Sequence, residues 1–102
     1  MIVTIFRSRL REETLAEYGP VAEQMARLAS SMPGFISFKS FAADDGEHLS
    51  IIEFESEEDQ RAWRDHAEHR IAQAAGRDRF YSTYKIQVCA PTRSLDFERQ
   101  SS

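Results

Sequence analysis

The sequence predicts an α+β fold of element order β-α-β-β-α-β, a four-stranded antiparallel sheet with two helices on one face. Three observations carry this. The apolar period switches from two to three-or-four residues and back, twice along the chain. Turn signals fall where the switches occur: Pro33-Gly34, Asp45-Gly46 and Gly76. The chain has 102 residues, which suits one such domain and leaves no room for a second. Together these give the ferredoxin-like split βαβ arrangement.

Taken in order, Ile2 to Phe6 ("IVTIF") is a β-rich run with apolar groups on both parities, as in a strand covered on both sides. From Glu12 the period becomes helical. Leu15, Tyr18, Val21 with Ala22, Met25, Leu28 with Ala29, and Met32 form a stripe. Gly19-Pro20 interrupts it, so the regular helix is expected to start near Pro20, after a short turn over Glu12 to Tyr18. Phe35 to Ala43 and His48 to Glu55 read as two strands joined by "ADDGE", where Asp45-Gly46 supplies the positive φ of a tight hairpin. Alternation puts Ile36 with Phe38 on one face, and Phe35 with Phe41 on the other. Ser56 is the expected N-cap of the second helix, with Glu57, Glu58 and Asp59 at the positive end of its dipole. That helix is expected through Trp63 to about Ala75, with a break near Ala67 allowed, and Gly76 ends it. Arg79 to Cys89 is the last strand. Its parity puts Tyr84, Ile86 and Val88 on one face and Tyr81 on the other. The domain is read as residues 1–90, followed by a polar tail, 91–102, with Leu95 and Phe97 its two large apolar residues.

Composition narrows the function classes. Hydrophobic residues are 41% and charged residues 29%, and the net charge is −4 with signs interspersed, so no basic stripe marks a nucleic-acid partner. Cys89 is the single cysteine, which excludes an internal disulfide and fits a reducing compartment. No run approaches the roughly 18 apolar residues of a membrane span, and the start lacks the charge-then-apolar order of a secretory signal. A cytoplasmic protein with no membrane partner is the expectation. Both faces of the sheet strands carry apolar residues, so the face away from the helices needs cover. A twofold homodimer packed through the sheet faces supplies it.

Four stretches combine in an unusual way: "MPGFISFKSF" (Met32 to Phe41), "SIIEFESEEDQRAW" (Ser50 to Trp63), "HAEH" (His66 to His69) and "RFYSTYKIQV" (Arg79 to Val88). Together they resemble the antibiotic biosynthesis monooxygenase (ABM) domain family, of the dimeric α+β barrel superfamily. The resemblance implies a pocket between sheet and helices. It also implies two activities found in the family: oxidation of polycyclic phenols or quinols by molecular oxygen without metal or flavin, and haem degradation. The haem-degrading branch shares the tryptophan at Trp63. Its haem-ligand histidine, ten residues on, falls on Gln73, and its first-strand asparagine falls on Phe6 or Arg7.

The candidate site residues follow. Trp63, His66 and His69 recur at one-turn spacing and would share one side of a continuous helix. In a pocket the Trp63 indole would pack on a flat aromatic substrate. His69, or His66, would take a phenol proton, since imidazole titrates near neutrality. The competing reading makes Trp63 a core or dimer anchor and leaves both histidines solvated. Tyr81 or Tyr84 would hydrogen-bond a substrate carbonyl or simply pack. Arg7 would place positive charge near an oxyanion, or pair with Glu53 or Glu55 across the sheet. His66 and His69, with Asp65, offer metal-ligand types but lack a third fixed ligand, so no native metal is expected. No phosphate loop or dinucleotide fingerprint is present, so no cofactor is expected beyond oxygen as co-substrate. The expected function is a cofactor-independent monooxygenase acting on an aromatic or quinol-type molecule. The alternatives are a non-catalytic or stress-related dimer that binds a small hydrophobic ligand, and haem degradation.

Overall fold

The computed structural model describes residues 1–66, 70 and 73–100. Four strands form one antiparallel sheet of order β2-β3-β1-β4: β1 is Ile2–Leu10, β2 Phe35–Ala42, β3 His48–Phe54 and β4 Tyr81–Cys89. Helix α1 (Leu15–Ser31) follows β1, and α2 (Glu57–Asp65) follows β3. This is the expected β-α-β-β-α-β order. The strand order is the one in which each helical crossover skips a strand.

Register assigns the faces. Ile2 pairs with Phe54, Thr4 with Ile52, Phe6 with Ser50 and Ser8 with His48. Directly opposed residues point to one side, and Ile52 and Phe54 are buried against Ala29 of α1 and Trp63 of α2. The even-numbered residues of β1 therefore face the helices. Val3, Ile5, Arg7 and Arg9 face the other way, beside Glu53, Ile51 and Leu49 of β3. Leu28, Met32, Phe35 and Phe38 complete the core. The Phe54 ring lies 5.7 Å from Trp63 and 6.0 Å from Phe35.

Two bulges change the faces that simple alternation predicts. Between β2 and β3 the register shifts between Phe35 and Ser37, so Ile36 is the extra residue and Phe35 joins Phe38 on the helix side. Phe41 lies opposite Leu49, on the outer face. Between β1 and β4 the register shifts at Arg9/Leu10: Arg9 pairs with Thr83 and Leu10 with Tyr81, which leaves Ser82 extra. Its hydroxyl donates to the Arg9 carbonyl at 3.1 Å. The bulge turns Tyr81 onto the same face as Tyr84, which corrects the opposite placement predicted by parity.

The helices also depart from expectation. Glu12–Thr14 is a 3-10 turn and α1 starts at Leu15, five residues before Pro20. Pro20 thus sits in the second turn, where its missing N–H and its ring oppose the helix. Gly19 before it has no Cβ to meet the ring, and tertiary packing of the stripe carries the helix through. Ser56 caps α2 as expected: its hydroxyl accepts from the Asp59 N–H at 3.1 Å and donates to the Asp59 carboxylate at 3.0 Å. The first segment of the helix ends at Asp65, at the break allowed near Ala67, and residues 70 and 73–75 are again helical. His66 turns extended at ψ 139 while its N–H still reaches the Trp63 carbonyl at 3.1 Å. Asp and His are weak helix formers, and Trp63 is already anchored in the core. The His66 carbonyl then accepts from the Arg70 N–H at 2.9 Å, so His66 also opens the next helical segment. Gly76–Phe80 is a π-helical turn rather than a stop followed by a strand from Arg79. The hairpin closes with a three-residue loop. The Ala43 N–H donates to the Glu47 carbonyl at 2.8 Å, and Gly46 takes φ 93. Asp45 keeps negative φ, contrary to the two-residue turn expected of it.

Candidate functional site

The helices cover the sheet unevenly. α1 packs chiefly on β2 and α2 on β3. The β1–β4 half of the same face is left more open. There Tyr84, Ile86 and Val88, in register with Ser8, Phe6 and Thr4, are 42%, 46% and 44% exposed. Edge-strand apolar residues that face the helix layer yet remain this accessible are a candidate binding floor.

An aromatic wall closes one end. Phe6 meets Tyr81 edge-on at 5.4 Å and Tyr84 at 5.9 Å, and the two tyrosine rings are 5.7 Å apart. Tyr18 of α1 meets Tyr81 and Phe80, each at 5.7 Å. The Tyr81 hydroxyl donates to the Tyr18 oxygen at 3.3 Å. Burial pushes the Tyr81 phenol well above its ordinary range, and the bond to Tyr18 adds to the shift. Tyr81 therefore stays protonated and can only be a hydrogen-bonding group at neutral pH. Because Tyr81 donates to it, Tyr18 keeps its own proton to offer a ligand oxygen. The ion pair of Arg79 with Glu17, and the Thr14 hydroxyl on the Arg79 carbonyl at 3.1 Å, tie the approach to β4 onto the start of α1.

On the floor itself, Thr4 is 4% exposed and Ser8 2%. The Thr4 Oγ1 has no hydrogen-bond partner among the described residues.

The predicted site residues divide between regions. Tyr81 and Tyr84 stand together on the helix side. Trp63, 5% exposed, sits over the β2–β3 half, 6.4 Å from the Phe38 ring. It is a core anchor whose position holds the end of α2. Arg7 points to the outer face, where its Nε and Nη2 make a fork with the Glu47 carboxylate at 3.0 and 2.9 Å. Its partner is thus Glu47 of the hairpin, neither Glu53 nor Glu55, and it stands across the sheet from the tyrosines. Arg9 grips Asp45 of the same loop at 2.9 Å. The Glu47 N–H and then Arg9 hold the Asp45 carboxyl below its usual range. His66 is half-buried at the helix break. A continuous helical side carrying Trp63, His66 and His69 is not formed, because α2 stops at Asp65. His69 lies outside the described residues. Gln73 lies on a helical segment and has no imidazole to ligate haem iron.

Sequence reasoning missed Tyr18, Thr4 and Ser8 as site residues. Tyr18 reads as one more member of the α1 stripe. The two hydroxyls were legible as polar interruptions of an otherwise apolar strand parity, the signal that could have found them. Among the described residues no group of three His, Cys, Asp or Glu could hold a metal ion, and no helix is long and apolar enough to cross a membrane.

The antibiotic biosynthesis monooxygenase family model matches residues 1–75. The uncharacterized protein YqjZ of Bacillus subtilis is 30% identical over 95 residues, 93% of this chain and 83% of that protein. Among solved structures, Rv0793 from Mycobacterium tuberculosis superposes with TM-score 0.83 at 16% identity, over 93% of this chain and 98% of that one. SnoaB, a cofactor-independent oxygenase from Streptomyces nogalater, superposes with TM-score 0.78 at 17% identity, over 92% and 95%. At such identities the structural likenesses speak for the fold alone. With a family match over most of its length and the split βαβ sheet carrying a half-open helix-side face, the chain belongs to the antibiotic biosynthesis monooxygenase family.

Proposed function

We propose that the protein is a cofactor-independent oxygenase that oxidises a flat aromatic, quinol-type molecule on the β1–β4 half of its helix-side face. The carrying observation is the accessible strip Tyr84–Ile86–Val88, flanked by Phe6 and the Tyr18–Tyr81 pair. That strip offers apolar area for a ring system and hydroxyls for its oxygen substituents. The description of SnoaB as a cofactor-independent oxygenase supports the same chemistry in this fold.

The chemistry needs no external reductant. A base removes a proton from a phenol or an activated CH2. The electron-rich anion gives an electron to molecular oxygen, and recombination makes the new C–O bond. A CH2 becoming C=O consumes one O2 and releases one water, so atoms and electrons balance. His69 is the base in this reading, with His66 second. Trp63 acts from the core, by fixing the point where the chain leaves α2 for the histidine segment. Tyr81 and Tyr84 hold the substrate. Arg7 takes its place in a homodimer built through the outer sheet face, where Ile5, Ile51 and Leu49 give the apolar area. A cytoplasmic setting fits the lone thiol.

Oxygen uptake by metal-free protein is the test, screened over hydroquinones, naphthols and anthrones. Uptake above buffer is expected with at least one class, with a fall of about 10²-fold or more in His69→Ala and a smaller fall in Trp63→Phe. No uptake from any of them sinks the oxygenase. A second reading, a ligand-binding dimer without turnover, is favoured by the walls described: they are apolar and hydroxyl-bearing, which suffices to hold a ligand. Saturable binding without uptake selects it. A hemin titration is expected to leave the Soret band unshifted.

A further inference from the structure

We infer that Thr4 is the polar anchor of the site, and that it selects flat aromatic ligands bearing a carbonyl or phenolic oxygen on the edge that enters deepest. This rests on the aromatic-site reading above and assigns its recognition element. Thr4 is the third residue of the inner strand β1, opposite Ile52 on one side and Val88 on the other. It faces the helices and is 4% exposed. Its hydroxyl is without a partner among the described residues. A buried hydroxyl is ordinarily bonded, because stripping it of water without replacement is costly. Valine has nearly the same shape, and the apolar neighbours Ile52 and Val88 would accept it. On this reading a donor at this position serves a ligand.

The surroundings say what that is. Thr4 adjoins Val88, and beyond Val88 the strip continues through Ile86 to Tyr84, all on the accessible half of the face. A planar ligand lying on this strip would place one edge at Thr4 and the other near the Tyr18–Tyr81 hydroxyls, beside Tyr84. The middle of the strip is apolar, so oxygens belong at the two ends of the ligand. The Thr4 hydroxyl donates to the inner one. An unsubstituted hydrocarbon fits the strip equally well and leaves Thr4 unpaired.

The experiment compares anthrone with anthracene as probes on the full chain, by equilibrium dialysis, beside the thermal midpoint of the unliganded protein. Wild type is expected to favour anthrone by about tenfold, the effect of one good buried hydrogen bond. Thr4→Val is expected to lose that preference while binding anthracene as before. Its unliganded midpoint should equal or exceed that of wild type, because an unpaired polar group has been removed. Thr4→Ser, which keeps the donor, should retain the preference. A clear fall in the midpoint of Thr4→Val means the hydroxyl has a structural partner and overturns the inference. So does an anthrone preference that survives in Thr4→Val, or equal binding of both probes by wild type; in these cases the aromatic site itself stands. Wild type that binds neither probe removes the aromatic site, and this inference with it.

Discussion

Gly34 and Gly46 are the described residues with positive φ, at 78° and 93°, but they face different constraints. A Cβ on Gly46 meets only the tip of Arg9, 4.0 Å away, whereas on Gly34 it would lie 2.0 Å from the Asp59 carboxylate, which accepts from the capping Ser56 hydroxyl. Gly34→Ala should therefore lower stability by about 2 kcal/mol or more, from backbone strain with the Asp59 clash added, read as a fall of about 10 °C in the thermal midpoint. Gly46→Ala should cost less. Tyr81 makes a pH prediction. Its phenol is raised in the folded chain, so above pH ~10 the unfolded chain ionises it while the folded chain does not. Stability from this residue is intact below that pH and is lost as pH rises, by at most about 1.4 kcal/mol per pH unit. Tyr81→Phe should flatten the alkaline limb of a chemical-denaturation series. The proline-glycine turn was legible in the sequence as punctuation. The Asp59 contact was not, because it joins residues that only the fold brings together.

At the scale of elements, the sequence shows clearly where a helix is capped and less clearly where it begins against local preference. The Ser56 cap on α2 is read directly, since serine followed by three acidic residues has a local meaning. α1 begins at Leu15 because a stripe running from Tyr18 to Met32 packs as a unit, and that tertiary gain outweighs a proline in the second turn. Pro20→Ala restores an N–H able to reach the Ala16 carbonyl and removes the ring. It should raise stability by about 1 kcal/mol or more, seen as a higher denaturant midpoint at unchanged slope. The break after α2, which the sequence allowed near Ala67, has a related cause. Trp63 fixes the helix by its last turn, and the weak helix formers Asp65 and His66 have little to hold them in line beyond it.

For the whole molecule, apolar residues on both parities of β1 and β3 were the informative signal. One set, Ile52 and Phe54, lies under the helices. The other, Val3, Ile5, Leu49 and Ile51, lies outside with Phe41, which is 43% exposed. An apolar outer face of this kind favours association through it. Sedimentation should give a mass near twice 11.7 kDa. Ile51→Asp, at the centre of the face, should return it to one protomer by leaving a carboxylate unpaired in the interface. A single-protomer mass for wild type would refute the homodimer. The helix-side site was less legible than this face, since it depends on a bulge that strand parity cannot show.

That bulge has a consequence for how such a site can change. Ser82 is an inserted residue, and side-chain direction along a strand depends on counting. Removing Ser82 altogether would let Thr83 and Tyr81 follow one another opposite Arg9 and Leu10 in an unbroken ladder, with both tyrosines still on the helix side. A one-residue deletion is then gentler on the aromatic wall than many substitutions. The deletion variant should fold and keep Tyr81 unionised where free tyrosine has lost its proton, measurable by ultraviolet titration. Loss of this single residue would leave the aromatic wall, and so the ligand it holds, unchanged.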